Sequence, residues 1–190
     1  MTHERSLGPS PFPDDDGLAD PQVRQALASA LTGQPADYLN AVAGLCTTRL
    51  MVPVVAQATE EAAVHARGPV DKLLTVDKEA DMAVVMLQSS DGRKAMLGFT
   101  GTDALHTWQA DARPVPVTLD TAARAATQEG ATALIIDMAG PHPVVLEGEV
   151  LAQLAQGHRL VALPDDEFGW MQPRPGDEAA DGSTSPDPTG

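Results

Sequence analysis

Two apolar runs, residues 82–88 (MAVVMLQ) and 93–99 (RKAMLGF), flank Ser89-Ser90-Asp91-Gly92. An Asp-Gly pair between two strand-forming runs supplies the positive-φ position that a tight reversal needs, so this part of the chain is committed to an antiparallel hairpin. The arrangement of everything else must accommodate a sheet built on that hairpin.

The hairpin leads directly into the most densely featured stretch of the sequence, Phe99 to Val117, FTGTDALHTWQADARPVPV. A short helix is expected to start near Thr102 or Asp103 and to end before Arg113-Pro114, because the residue preceding proline is pushed out of the helical region. Val115 and Val117 alternate with Pro114 and Pro116. Proline has no N–H for a ladder, so this extended piece belongs at a sheet edge or outside the sheet.

Helical segments are expected before and after. Asp20 with Pro21 forms a helix start, and apolar positions 23, 26, 27, 30 and 31 make one face before a stop at Gly33. A second helix is expected over about 35–45, one capped by Thr118 runs to Gly130, and one spans 147–156 before Gly157. Strands are expected at 49–56, where Pro53 implies an edge position or a bulge, at 133–138, at 144–146 after the Gly140-Pro141-His142-Pro143 turn, and at 159–163. Residues 57–80 read as a loop with at most a short helix or strand around 72–76. The fold class is therefore α+β, a single domain with a mixed, mostly antiparallel sheet of about five to six strands flanked by about five short helices.

Both ends read differently. Residues 1–19 contain Pro, Gly and the Asp14-Asp15-Asp16 run, and residues 164–190 are rich in Pro, Gly, Asp and Ser, with Phe168 and Trp170 their only sticky side chains. Such segments bury too little apolar surface to offset ordering entropy, so a disordered arm, a domain over 20–163 and a disordered acidic tail are expected. Of the formal charge of −15, residues 1–20 carry −4, residues 164–190 carry −6 and the middle only −5. No Lys/Arg cluster exists for a phosphate backbone, which disfavours nucleic acid as a partner. No run of eighteen apolar residues and no secretory leader is present, so a soluble cytoplasmic protein without membrane contact is expected.

Several residues invite a chemical role. Cys46, His106 and Asp111 supply the residue types of a nucleophilic triad, but no flanking motif accompanies them, and a lone cysteine is commonly a small buried hydrophobe. The five histidines show no spacing that would place two imidazoles on one metal. Gly98-Phe99-Thr100-Gly101-Thr102 could cradle an anion at a helix start, yet it lacks the lysine and glycine spacing of phosphate loops and reads better as a plain turn with Thr102 or Asp103 as N-cap. Trp108 either fills a core with few aromatics, with Arg113 stacked over it, or anchors a partner together with Arg113, Val115 and Val117.

The succession RLMVPVVA, DMAVVML, DGRKAMLGFTG, LHTWQADARPVPV, EGATALIIDMAGPHPVVLEG and LAQLAQG resembles the N-terminal domain of the SseB family, named after an enhanced serine sensitivity protein. The similarity spans about residues 20–160, and its most specific piece is the FT-turn-W-ARPVPV segment. It implies a mixed α/β domain found widely in bacteria, with no catalytic residues or cofactor to carry over. Some relatives bear a further C-terminal domain, where this chain has its acidic tail.

These observations lead to the expectation of a non-enzymatic domain that binds an unidentified protein partner through Trp108, Arg113, Val115 and Val117, with no cofactor and no metal; the oligomeric state is left open. The alternative is a small-molecule or anion sensor using the helix start after Gly101 and the 57–80 loop.

Overall fold

The computed structural model describes residues 12–56, 73–75 and 82–172. In chain order the elements are α1 (Pro21–Ala30), α2 (Pro35–Leu45), β1 (Arg49–Ala56), β2 (Leu73–Thr75), β3 (Met82–Val84), β4 (Met86–Gln88), β5 (Lys94–Gly98), α3 (Thr102–Trp108), β6 (Arg113–Thr118), α4 (Leu119–Gln128), β7 (Ala133–Ile136), β8 (Val144–Glu147), α5 (Gly148–Ala155), β9 (Arg159–Ala162), a 3-10 turn (Pro164–Asp166) and β10 (Phe168–Met171). The α+β class is as the sequence indicates.

The hairpin forms where its turn chemistry demands. β4 and β5 pair antiparallel with Met86 opposite Met96. Gly92 takes φ 85°, a conformation costly for any residue with a Cβ. The Asp91 carboxylate accepts from Arg93 Nε at 2.7 Å, which braces the turn. Outward from this hairpin runs a five-stranded sheet in the order β2-β4-β5-β7-β8. Its β5–β7 pair is parallel and its other pairs are antiparallel. The short strand expected around residues 72–76 is β2.

A second sheet has the order β3-β1-β6. Here β1 is the central strand, not the edge strand that Pro53 suggested. Met51 exchanges backbone hydrogen bonds with Phe99, at 2.7 and 2.9 Å, so the odd positions of β1 point toward β5 and β3 while its even positions point toward β6. Pro53 nitrogen therefore lies on the side where the neighbour changes from Phe99 to β3, and Pro53 oxygen there accepts from Val85 N. Proline costs one ladder bond at this rung, and it sits where β1 passes from one neighbour to the next, at the end of the β3 pairing. The same change of neighbour divides the expected strand 82–88 at Val85, β3 joining one sheet and β4 the other. The described residues form ten short strands where fewer, longer ones were expected.

Alternation along the strands sends side chains to two cores. Leu50, Val52, Met86, Met96, Leu134 and Ile136 join Val23, Leu27, Val42, Leu45, Leu119, Leu151 and Leu154 from the helices in the larger one. Met51, Val85, Leu87, Leu97 and Phe99 point the other way and meet Ala104 and Leu105 of α3 in the smaller one. Gly98 sits where a Cβ would come within 3.3 Å of both Leu50 and Ile136, so its lack of a side chain is what lets the two sheets approach.

Both chain ends hold more structure than their composition suggests. Asp20 caps α1 as expected, accepting from Gln22 N at 2.7 Å, but residues 12–19 before it are also seated, through the contacts described below. At the other end β10 pairs with β9, Trp170 opposite Leu160. Phe168 and Trp170 are half-buried against the larger core, on the order of 1–2 kcal/mol each, which offsets the ordering of a tight connection. Asp165 and Asp166 make that connection at φ 63° and 56°. Residues 1–11 and 173–190, and most of the 57–80 loop, lie outside the described residues.

Candidate functional site

β5 and β7 run parallel and end side by side, a position where open α/β sheets concentrate polar groups. The residue after Phe99 at one strand end is Thr100, and the residue that follows the other strand is Asp137; both are buried. Asp137 adopts φ 48°, a left-handed conformation that aspartate tolerates better than most residues. That turn aims its carboxylate back at Thr100, whose N–H donates to Oδ1 at 2.8 Å and whose hydroxyl donates to Oδ2 at 2.6 Å.

Two arginines complete the cluster. Arg24 of α1 donates from Nε to Thr100 Oγ1 at 3.1 Å and forks onto both oxygens of Asp103 in α3, each at 2.7 Å. Arg49 of β1 donates from Nη1 to the Thr100 carbonyl at 2.6 Å and forks onto Asp15, Nε to Oδ2 and Nη2 to Oδ1, each at 2.7 Å. Every polar atom of Thr100 is thus engaged. Burial pushes Asp137 above the usual carboxylate range, against the Thr100 hydrogen bonds and the Arg24 charge. The forks from Arg24 and Arg49 hold Asp103 and Asp15 below that range, in each case against some desolvation. Asp103 is well exposed, so its pair with Arg24 is worth at most about 1 kcal/mol. Arg49 and Asp15 are both largely buried, and their pair is stronger and more exacting in geometry.

The helix start that could have cradled an anion is already filled. The N-cap of α3 is Gly101, one residue before the expected caps, and it offers no side chain. Thr102 N donates to Gly17 oxygen at 2.9 Å and Thr102 Oγ1 donates to the same oxygen at 3.1 Å. A Cβ on Gly101 would lie 2.9 Å from Ala19 N, so the N-terminal arm packs directly on this turn.

Trp108 is half-buried, and its ring packs on Phe99 with centroids 5.6 Å apart at 31°. It fills the smaller core, as one reading of the sequence held. Its ring partner is Phe99, and Arg113 is exposed. In the β1–β6 register Arg113, Val115 and Val117 stand opposite Val54, Val52 and Leu50, on the face of the larger core, whereas Pro114 and Pro116 share the other face with Pro53 and Met51. The four residues singled out from the sequence therefore straddle one edge strand and do not form one flat face. Cys46 packs against the larger core, where burial raises its thiol pKa, while His106 and Asp111 are exposed on and after α3. The structure does not assemble these three into a triad.

β6 is an edge among the described strands. Because even positions of β1 bond toward β6, the outward backbone positions of β6 include 114 and 116, both proline. This edge offers carbonyl acceptors but no donors there, which blocks addition of another strand. Replacing Pro114 and Pro116 together with valine is expected to produce concentration-dependent self-association in sedimentation velocity that wild type lacks at the same concentration; equal behaviour would show that the prolines do not guard this edge.

A family model described as the SseB protein N-terminal domain matches residues 23–153. The chain belongs to the SseB family. No match was found among curated proteins or among solved structures. The match encloses Arg24, Arg49, Thr100, Thr102, Asp103 and Asp137, along with β6 and Trp108, so the SseB domain contains the whole polar cluster except the Asp15 arm. Among the described residues no helix is long and apolar enough to cross a membrane.

Sequence reasoning missed this cluster. Arg24, Arg49 and Asp137 lie far apart in the chain and carry no local motif. The one available signal was a charged residue at an element boundary: Arg49 opens β1, and Asp137 directly follows β7.

Proposed function

We propose that this SseB domain is a non-enzymatic, cytoplasmic protein-binding module whose recognition surface wraps the β6 edge. The observation that carries the reading is the make-up of that edge. Pro114 and Pro116 leave outward carbonyls without competing donors, Val115 and Val117 remain half-buried on one side, exposed Arg113 opens the strand, and half-buried Trp108 ends the helix before it. Tryptophan and arginine are the residue types that most often dominate binding energy at interfaces. The non-catalytic part of the proposal is supported by the strand-end cluster, whose carboxylates, hydroxyl and guanidinium groups are spent on one another.

The test is affinity capture from the native cell with the full chain, comparing wild type with Trp108→Ala and Arg113→Ala variants whose circular dichroism matches wild type. A partner retained by wild type is expected to bind the variants at least about tenfold more weakly, the loss seen when an interface anchor is truncated. Retention of every partner by the folded variants would overturn the surface assignment.

A further inference from the structure

Residues 15–18 occupy a seat of their own, separate from the β6 surface. Arg49 presents a planar fork to the Asp15 carboxylate and, from the same guanidinium, donates to Leu18 oxygen at 2.7 Å. Thr102 presents its N–H and its hydroxyl to the carbonyl between them, Gly17 oxygen. Gly17 stands at φ 78° with Thr102 Cγ2 2.9 Å from where a Cβ would be, so the seat accepts only glycine at that position. The seat thus reads a carboxylate, a glycine two residues later and two backbone carbonyls, a set of complementary contacts to an extended acidic segment.

Seat and occupant lie on opposite sides of the start of the family match. Arg49 and Thr102 lie within the matched SseB domain, whereas Asp15 and Gly17 precede its first matched residue. The occupant is joined to the body at the Asp20 cap of α1 by a short tether, and its neighbours Asp14, Asp16 and Leu18 are exposed. A segment held this way competes with an equivalent segment in trans at a millimolar effective concentration.

We propose that this seat is a recognition site for an extended acidic segment of another protein, with an aspartate two residues before a glycine, and that the chain fills it in cis with its own arm. Binding of the partner segment and release of the arm are then one exchange. Apparent affinity is set by the fraction of molecules whose seat is open.

The probe is a fluorescein-labelled peptide of residues 11–20, PFPDDDGLAD, titrated into full-length protein and read by anisotropy. Wild type is expected to bind it weakly. The Asp15→Asn/Gly17→Ala variant, which weakens the arm and leaves the seat intact, is expected to bind at least about tenfold more tightly. Adding Arg49→Gln or, separately, Thr102→Pro is expected to abolish that gain. Thr102→Pro removes both donors while suiting the first position of α3, so it protects the test if Arg49→Gln fails to fold. Absence of binding to the arm-weakened variant, insensitivity to Thr102→Pro, or equal binding of a scrambled peptide of the same charge would overturn the proposal. So would a concentration-dependent wild-type dimer that Asp15→Asn dissolves, since the seat would then belong to the arm of a second copy.

Discussion

Replacing Phe99 with alanine is expected to destabilise the protein by about 3–5 kcal/mol, measured by urea unfolding. The side chain is completely buried, and its backbone is the link between the two sheets through the Met51 bridge. The smaller core around it also holds Met, Val, Leu, Ile and Ala side chains, and the Trp108 ring packs on Phe99. The surrounding side chains are expected to relax only partly into the cavity that alanine leaves, which places the substitution at the costly end of its class. Trp108 should also show a red-shifted emission in the folded variant, with Trp170, the only other tryptophan, unchanged when measured in a Trp108→Phe background. Phe99→Leu should recover more than half of the loss. A cost below about 1.5 kcal/mol would mean that the two sheets repack without the ring, and that Phe99 does not set their spacing.

Asp137→Ala is expected to cost a similar amount, about 3–5 kcal/mol. Two hydrogen bonds to a carboxylate are lost, Thr100 N–H is left buried without an acceptor, and alanine must occupy a left-handed backbone conformation. Asp137→Asn, which tolerates that conformation and keeps one acceptor, should cost less. The pH dependence follows from the raised pKa. In the folded state this carboxyl holds its proton to a higher pH than in the unfolded chain, so as pH rises through the interval above 3.8 the folded state loses stability from this group. The wild type's advantage over Asp137→Asn is therefore expected to narrow as pH rises from 3.8 toward neutrality, in thermal melts at fixed ionic strength. Asp15 and Asp103 act in the opposite sense: their contributions are present above 3.8 and fade as pH falls through their lowered folded-state values. An Asp137→Asn difference that widened with pH would show that Arg24, not burial, dominates the Asp137 environment.

Local chemistry was legible in the chain itself. The Asp-Gly reversal before β5, the Asp20-Pro21 start of α1, the alanine and leucine face of α4, and the proline edge of β6 are consequences of φ preferences, capping and side-chain period, which operate over a few residues. The order of helices and strands, and hence the α+β class and the family resemblance, came from the same signals. Pro53 shows where they end. A residue without an N–H must avoid a ladder position, but whether it does so at an edge or in the gap between two successive neighbours depends on strands thirty residues further on.

The arm and the strand-end cluster lie beyond local signals for the same reason. Asp14-Asp15-Asp16 has the composition of a solvated segment, and it folds down only because Arg49 and Thr102, brought together by β1 and α3, offer more hydrogen bonds there than water and chain entropy can outbid. Phe168 and Trp170 are ordered for an equivalent reason, since the larger core supplies an apolar surface for them. The sequence by itself determined the helices, the Asp-Gly hairpin, most of the strands and the family. Only the tertiary structure decided which charges meet, which faces Trp108 and Val115 occupy, and where the ordered chain begins, because each of these depends on contacts between residues far apart in the chain, whose free energy no local pattern records.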